Sequence, residues 1–159
     1  MTATFFASGI PVAQGSARAL TNSRTGKAVL IQSNRARLHA WRDDIKAAAL
    51  AAGVPYHESG PVGVTFDFYL PRPKKIPKDR LGEPTTPPDI DKLIRAGLDA
   101  LTAVAYRDDA QVTFVRAWKR YCGWGVPGVM VTILDDENRK LLPAATFGSF
   151  SGSEAEPKR

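Results

Sequence analysis

Thiol and imidazole chemistry is nearly absent from this chain of 159 residues: Cys122 is its one cysteine, and His39 and His57 are its two histidines. A single thiol excludes an internal disulfide and a thiolate zinc centre, and two histidines are too few for a His-rich one. Long apolar runs are missing as well, since nothing approaches the roughly 18 to 20 residues that a membrane helix needs. The opening, MTATFFASGIPVAQGS, lacks a basic start and a continuous apolar stretch, so no export is expected and the cytoplasm is the expected compartment. Acids are in deficit, 16 Asp and Glu against 22 Lys and Arg, for a formal net charge of +6. Such an excess attracts polyanions at long range and favours nucleic acid over acidic metabolites as the partner.

What is present is an ordinary globular composition, 43% hydrophobic and 24% charged, in a length that suits one domain. Residues 4–10 read as a first strand closed by Gly9 and Pro11, and QGSARALTNSRTGKA after it reads as a mobile, basic surface loop. Leu38, Trp41, Ile45, Ala48 and Ala52 recur at helical spacing, with Ser33 as cap and Gly53 as terminator. VGVTFDFYL alternates apolar and polar residues, the period of a strand with one buried face. A second helix is expected from Asp89, which follows Pro87 and Pro88, to about Ala105. Its apolar stripe is Ile90, Leu93, Ile94, Gly97, Leu98, Leu101 and Val104. Residues 111–121 and GVMVTIL read as strands joined in a hairpin through Gly123, Gly125, Pro127 and Gly128. These elements imply an α+β fold: a mixed β-sheet packed by two main helices over residues 1–136. Residues 137–159, small and polar, are expected to be a flexible tail.

The chemistry concentrates in PPDIDKLIRAGLDALTAVAYRDDAQV, residues 87–112. Asp89 and Asp91 open the second helix, and Asp108 and Asp109 lie just past its end. Singly, each has an ordinary explanation: a cap, a favourable charge at the helix N-terminus, a turn. Together, on a basic chain, two acidic pairs brought close in space need a cation, protons or basic side chains to neutralise them. If a returning hairpin closes that gap, the group can hold Mg2+, or Mn2+, beside a phosphate and cut the DNA backbone. Arg95, one turn after Asp91, can contact the scissile phosphate; its bland alternative is a salt bridge to Asp91 or Asp99.

At these residues the chain resembles the RusA family of Holliday-junction resolvases, whose core reads D-x-D-N-L-x-K, then D-A-L, then D-D-x-Q-V. Asp89, Asp91, Leu93, Asp99, Ala100, Leu101, Asp108, Asp109, Gln111 and Val112 match it. Lys92 stands at the usual Asn, and Arg95 at the family's catalytic lysine. A weaker likeness, in GIPVAQGSARA ahead of Trp41, extends the match over residues 5–134. The resemblance implies metal binding by Asp89, Asp91, Asp108 and Asp109, with Asp109 as the catalytic acid of the later pair. It also implies a homodimer acting on four-way or other branched DNA, while the lack of a long apolar run leads to the expectation of no membrane partner. DNA contacts are expected from Arg72, Lys74, Lys75, Lys78 and Arg80, from Lys92, and from Arg116, Lys119 and Arg120. Arg18, Arg24 and Lys27 in the early loop are further candidates. Trp41 and Trp118 are expected in the core, and Trp124 in a turn where it stacks on a base or fills a dimer contact. Two other functions fit the same residues: a non-catalytic binder of branched DNA, and a nuclease preferring flaps or single strands.

Overall fold

The computed structural model describes residues 2–15, 18–21, 28–31, 34–77, 82–123 and 125–140, with backbone alone at 18–21, 28–31 and 139. Along the chain run β1 (Thr2–Ser8), β2 (Arg18–Thr21), β3 (Ala28–Ile31), α1 (Arg35–Ala51) and β4 (Val62–Leu70). They are followed by α2 (Ile90–Leu101), β5 (Val112–Tyr121), β6 (Gly128–Leu134) and the short α3 (Asp136–Lys140). The fold is the expected α+β arrangement. The expected boundary at 136/137 falls within α3, and residues 141–159 lie outside the described residues.

The alternation in β4 has the consequence read from it: Val62, Val64, Phe66, Phe68 and Leu70 are all buried. Beside them lie Val129, Val131 and Ile133 of β6 and Phe5 and Ala7 of β1, on the face covered by α1 and α2. Strand order is β1-β6-β4-β5, with β6 antiparallel to both neighbours and β5 parallel to β4. The expected β5–β6 hairpin is therefore not formed, because β4 lies between the two. After β4 the chain returns along α2, a crossover that delivers β5 parallel to β4. The apolar side chains of β6 suit an interior position, whereas β5, with Arg116, Lys119 and Arg120, suits an edge. Two further expectations are corrected. β1 begins and ends two residues earlier than its sequence reading. Within the segment read as a loop, residues 14–28, Arg18–Thr21 forms β2, which pairs antiparallel with β3 at and just beyond its end.

In α1 the buried residues are Leu38, Trp41, Ile45 and Ala49, with Ala52 exposed just past the last turn. Asn34 takes the N-cap position; Ser33, the expected cap, lies outside the described residues. Gly53, at φ +63°, closes the helix: its N–H donates to Leu50 O at 3.0 Å and Val54 N–H to Ala49 O at 3.1 Å. α2 stops at Leu101, short of Ala105, because Thr102 leaves the helical region and the Tyr106 hydroxyl donates to Leu98 O at 2.9 Å. Between them, Gly97 lets α2 press on the sheet: a Cβ there would lie 2.7 Å from the Phe66 ring.

Gly97→Val is expected to destabilise the fold by about 1–3 kcal/mol through overpacking against Phe66. A fall in the urea midpoint at unchanged slope is the reading that checks it.

Candidate active site

The N-terminal end of α2 is held in place by β5. The Lys119 ammonium donates to Thr86 O and Pro88 O, each at 3.0 Å, and so pins the segment that delivers Asp89. Asp89 occupies the N-cap position, yet its carboxylate makes no capping bond and instead accepts from Lys92 Nζ at 2.5 Å. That hydrogen bond, the Lys92 charge and, more weakly, Lys119 hold the Asp89 carboxyl below the ordinary Asp value. Lys92 is raised in turn, by Asp89 first and by Asp91. Asp91, in the first turn, is exposed and makes no hydrogen bond or ion pair among the described residues. Arg95 is exposed too, and forms neither of the salt bridges weighed for it. Beside Asp89 and Lys92 opens a cleft of about 750 Å³, lined also by Asn34, Arg37, Pro73 and Tyr121.

The later acids sit in a different setting. Asp108 shapes the 3-10 turn Asp109–Gln111: its Oδ1 accepts from Ala110 N–H at 2.8 Å, and its own N–H donates to Gln111 Oε1 at 3.0 Å. Gln111 Nε2 then donates to His57 O and Gly60 O, each at 3.2 Å, tying the turn to the loop ahead of β4. Asp108 and Asp109 are both exposed; one carboxylate oxygen of Asp108 is engaged by the turn, while the Asp109 side chain makes no hydrogen bond or ion pair among the described residues. Burial, and then the charges of Asp109 and Asp99, push the nearby Tyr106 phenol well above its ordinary pKa. Asp99 pairs with Arg42 of α1, which also donates to Gln14 Oε1 at 2.5 Å; Gln14 N–H in turn meets Lys92 O at 3.0 Å. This link between α1, α2 and the chain after β1 had no sequence signal beyond Asp99's place in the motif.

The two acidic pairs do not meet within one chain. The twelve residues of α2 set its ends about 18 Å apart. Along β5, from Val112 beside the later pair to Lys119 beside the earlier, the distance is about 23 Å. Among the described residues no three His, Cys, Asp or Glu side chains form a group able to hold a metal ion. Within one chain the four acids therefore share no pocket, and the cause is the parallel course of β5, which starts at the far end of α2. Asp89 and Asp91 alone remain a fitting donor pair for Mg2+, which takes one or two carboxylates, keeps waters and accepts substrate phosphate oxygens.

The cations are divided as well. Lys74 and Lys75 are exposed, while Arg72 is half-buried and bonded to Ile76 O. Lys78, Arg80, Arg24, Lys27 and Trp124 lie outside the described residues, as does the Arg18 side chain. Lys119 faces α2, whereas Arg116 and Arg120 share the opposite face and flank Trp118, with guanidinium carbons 4.8 and 5.6 Å from its ring centre. Trp118, 37% exposed, is not a core residue; the period-two count that pairs the two arginines places it between them.

The chain matches the family profile of endodeoxyribonuclease RusA over residues 9–134, most of its length. It belongs to the RusA family. It is also similar to the uncharacterized protein YqaN of Bacillus subtilis (strain 168). Identity is 30% over 125 residues, 71% of this chain and 83% of that protein. Membership makes the chain an endodeoxyribonuclease of a family of Holliday-junction resolvases. Among the described residues no helix is long and apolar enough to cross a membrane.

Two outcomes follow from the bonds at the ends of α2. In Lys92→Met, an NMR titration of Asp89 should show its pKa returning upward towards the ordinary 3.8. In the native chain the Asp89–Lys92 contribution to stability is complete above 3.8 and is lost as pH falls through the depressed value. Gln111→Leu should lower stability by about 1–3 kcal/mol in chemical denaturation by unmaking the bonds that seat the turn.

Proposed function

We propose that the protein is a Mg2+-dependent endonuclease that resolves Holliday junctions by paired symmetric nicks. It acts in the cytoplasm, in recombination, repair or the processing of branched phage DNA. It works as a homodimer in which each active site takes Asp89 and Asp91 from one subunit and Asp109 from the other. The observation that carries this reading is the separation of the motif acids by the length of α2. A twofold axis across the middle of α2 lays two such helices antiparallel, so the N-terminal acids of each face the later pair of its partner. Two equivalent sites arise from one operation, matching a junction that needs two nicks.

In this arrangement Asp89, whose carboxyl Lys92 holds below its ordinary value, and Asp91, free of ion pairs among the described residues, would hold the cation with Asp109. When bound, Mg2+ supplies Lewis-acid activation of water and neutralises charge growing on the phosphate. Arg95, one turn along α2 from Asp91, contacts the phosphate being cut. Asp108 orients the turn that presents Asp109. Lys92, Lys74, Lys75 and Arg72 meet flanking phosphates across the cleft, an attraction that weakens as salt rises.

Asp91→Asn should abolish Mg2+-dependent nicking of a labelled four-way junction while leaving junction binding intact or tighter, since the change removes negative charge near DNA. Asp109→Asn should behave likewise. Mixing these two inactive proteins should restore nicking, because a mixed dimer contains one wholly native shared site. If the mixture stays inactive while mixed dimers form, the shared site is wrong. A native protein that retards the junction but never cuts it, at any Mg2+ or Mn2+ concentration, is a binder and not a nuclease. Preference for flaps or single strands would show on a panel of branched and linear substrates.

A further inference from the structure

The face of the sheet turned away from α1 and α2 carries the side chains that the proposed chemistry leaves unused. Across it the register sets Phe6, Met130, Asp67 and Trp118 in one row, with Tyr69 and Arg120 in the next. The Phe6 and Tyr69 rings lie 6.4 Å apart, tilted by 56°. With Val126 and Met130 they line a cavity of about 460 Å³ that Arg120 borders. Phe6 and Val126 are 38% and 58% exposed, large apolar groups left open on a protein of net charge +6. Arg120 is steadied by Asp67, at 3.5 Å, and by the Trp118 ring, which Arg116 also approaches.

We propose that this open face binds an unpaired nucleotide of the branched DNA substrate. Its base lies in the cavity against Phe6 and Tyr69, and its phosphodiester lies on Arg120 and Arg116. The inference rests on DNA being the substrate. One guanidinium, Arg120, at the rim of a base-sized aromatic slot and a second, Arg116, across the Trp118 ring from it, on a chain of net charge +6, are complementary to a strand that offers a flat apolar face and phosphates together. A second copy of the chain is a poorer occupant, because a twofold contact here brings Arg116 and Arg120 against their own kind. An intact duplex offers phosphates but keeps its bases stacked. The cavity and the acids at the start of α2 lie on opposite faces of the sheet, so the nucleotide held here is not the one being cut. It belongs to the unstacked branch point or to another arm.

The test uses the full chain in EDTA, with fluorescein-labelled oligothymidylate and a four-way junction carrying 2-aminopurine at the branch point. The variants are Phe6→Ala, Val126→Asp and Arg120→Gln, each checked by thermal melting. Each folded variant should bind oligothymidylate about 5-fold or more weakly, the lower range for loss of one stacked base, and should lose the change in 2-aminopurine emission. Native affinity and native emission in all three overturn the proposal. So does an equal loss of affinity for blunt duplex, which assigns the face to phosphates alone, or a loss of dimer in sedimentation with DNA binding intact, which assigns it to a second copy. Nicking by the native protein is scored separately. If it cuts while the variants bind as the native chain does, only the pocket falls. If it never cuts while oligothymidylate binding depends on these side chains, only the nuclease reading falls.

Discussion

Parallel pairing of β4 with β5 is the constraint from which the rest of the arrangement follows. Two adjacent strands can run parallel only if the chain travels back along a face of the sheet between them, and here α2 makes that journey. Its direction is thereby opposed to both strands. Its first turn lies beside Lys119 near the end of β5, and its last turn delivers the chain to the loop ahead of β4. Gly97 against Phe66 fixes how closely the helix sits on the sheet, and the Asp99–Arg42 pair fixes it against α1. The acids are placed by this frame and not by local preference, since neither Asp89 nor Asp109 is buried or bonded in a way that would hold it elsewhere.

The electrostatics are built on two scales. Over the whole molecule, excess positive charge draws a polyanion in; close to the start of α2, carboxylates oppose it. The Asp89–Lys92 pair reconciles the two. It is exposed and so contributes little to folding, yet it sets a positive charge against the carboxylate and lowers its pKa. Arg95 and Asp91 stand unengaged on the same helix, available to whatever approaches. Asp99, four residues further on, is instead committed to the frame.

Most of the elements were legible in the sequence because each carries a strong period. β4 alternates without interruption, α1 repeats its apolar residues every three or four positions, and the α2 stripe leaves its polar face plain. Strand order was not legible, because periodicity says which face of a strand is buried and nothing about which strand lies beside it. The tight glycine-rich link between β5 and β6 suggested a hairpin, whereas burial put β4 between them. From that one misplacement came the expectation of a single acidic pocket. Local chemistry was read more securely: Asp91 and Arg95 lie on an exposed helical face, and Asp108 proved to be the turn-former that its bland explanation described. Gln111 was visible only as a match to a pattern, since its partners, His57 and Gly60, lie about fifty positions away in the chain.

Among the described residues β5 is the outer strand on its side of the sheet, and along ten residues it has no strand partner there on its outer side. An uncovered border of that length invites any extended segment to add itself, a route to aggregates. Arg116, Lys119 and Arg120, with the broad Trp118 ring among them, make the border bulky and positively charged, so that another copy is repelled before its backbone can align. The cations of this strand therefore serve as a guard against precipitation as well as being the charges offered to a polyanion in the binding proposed for this face.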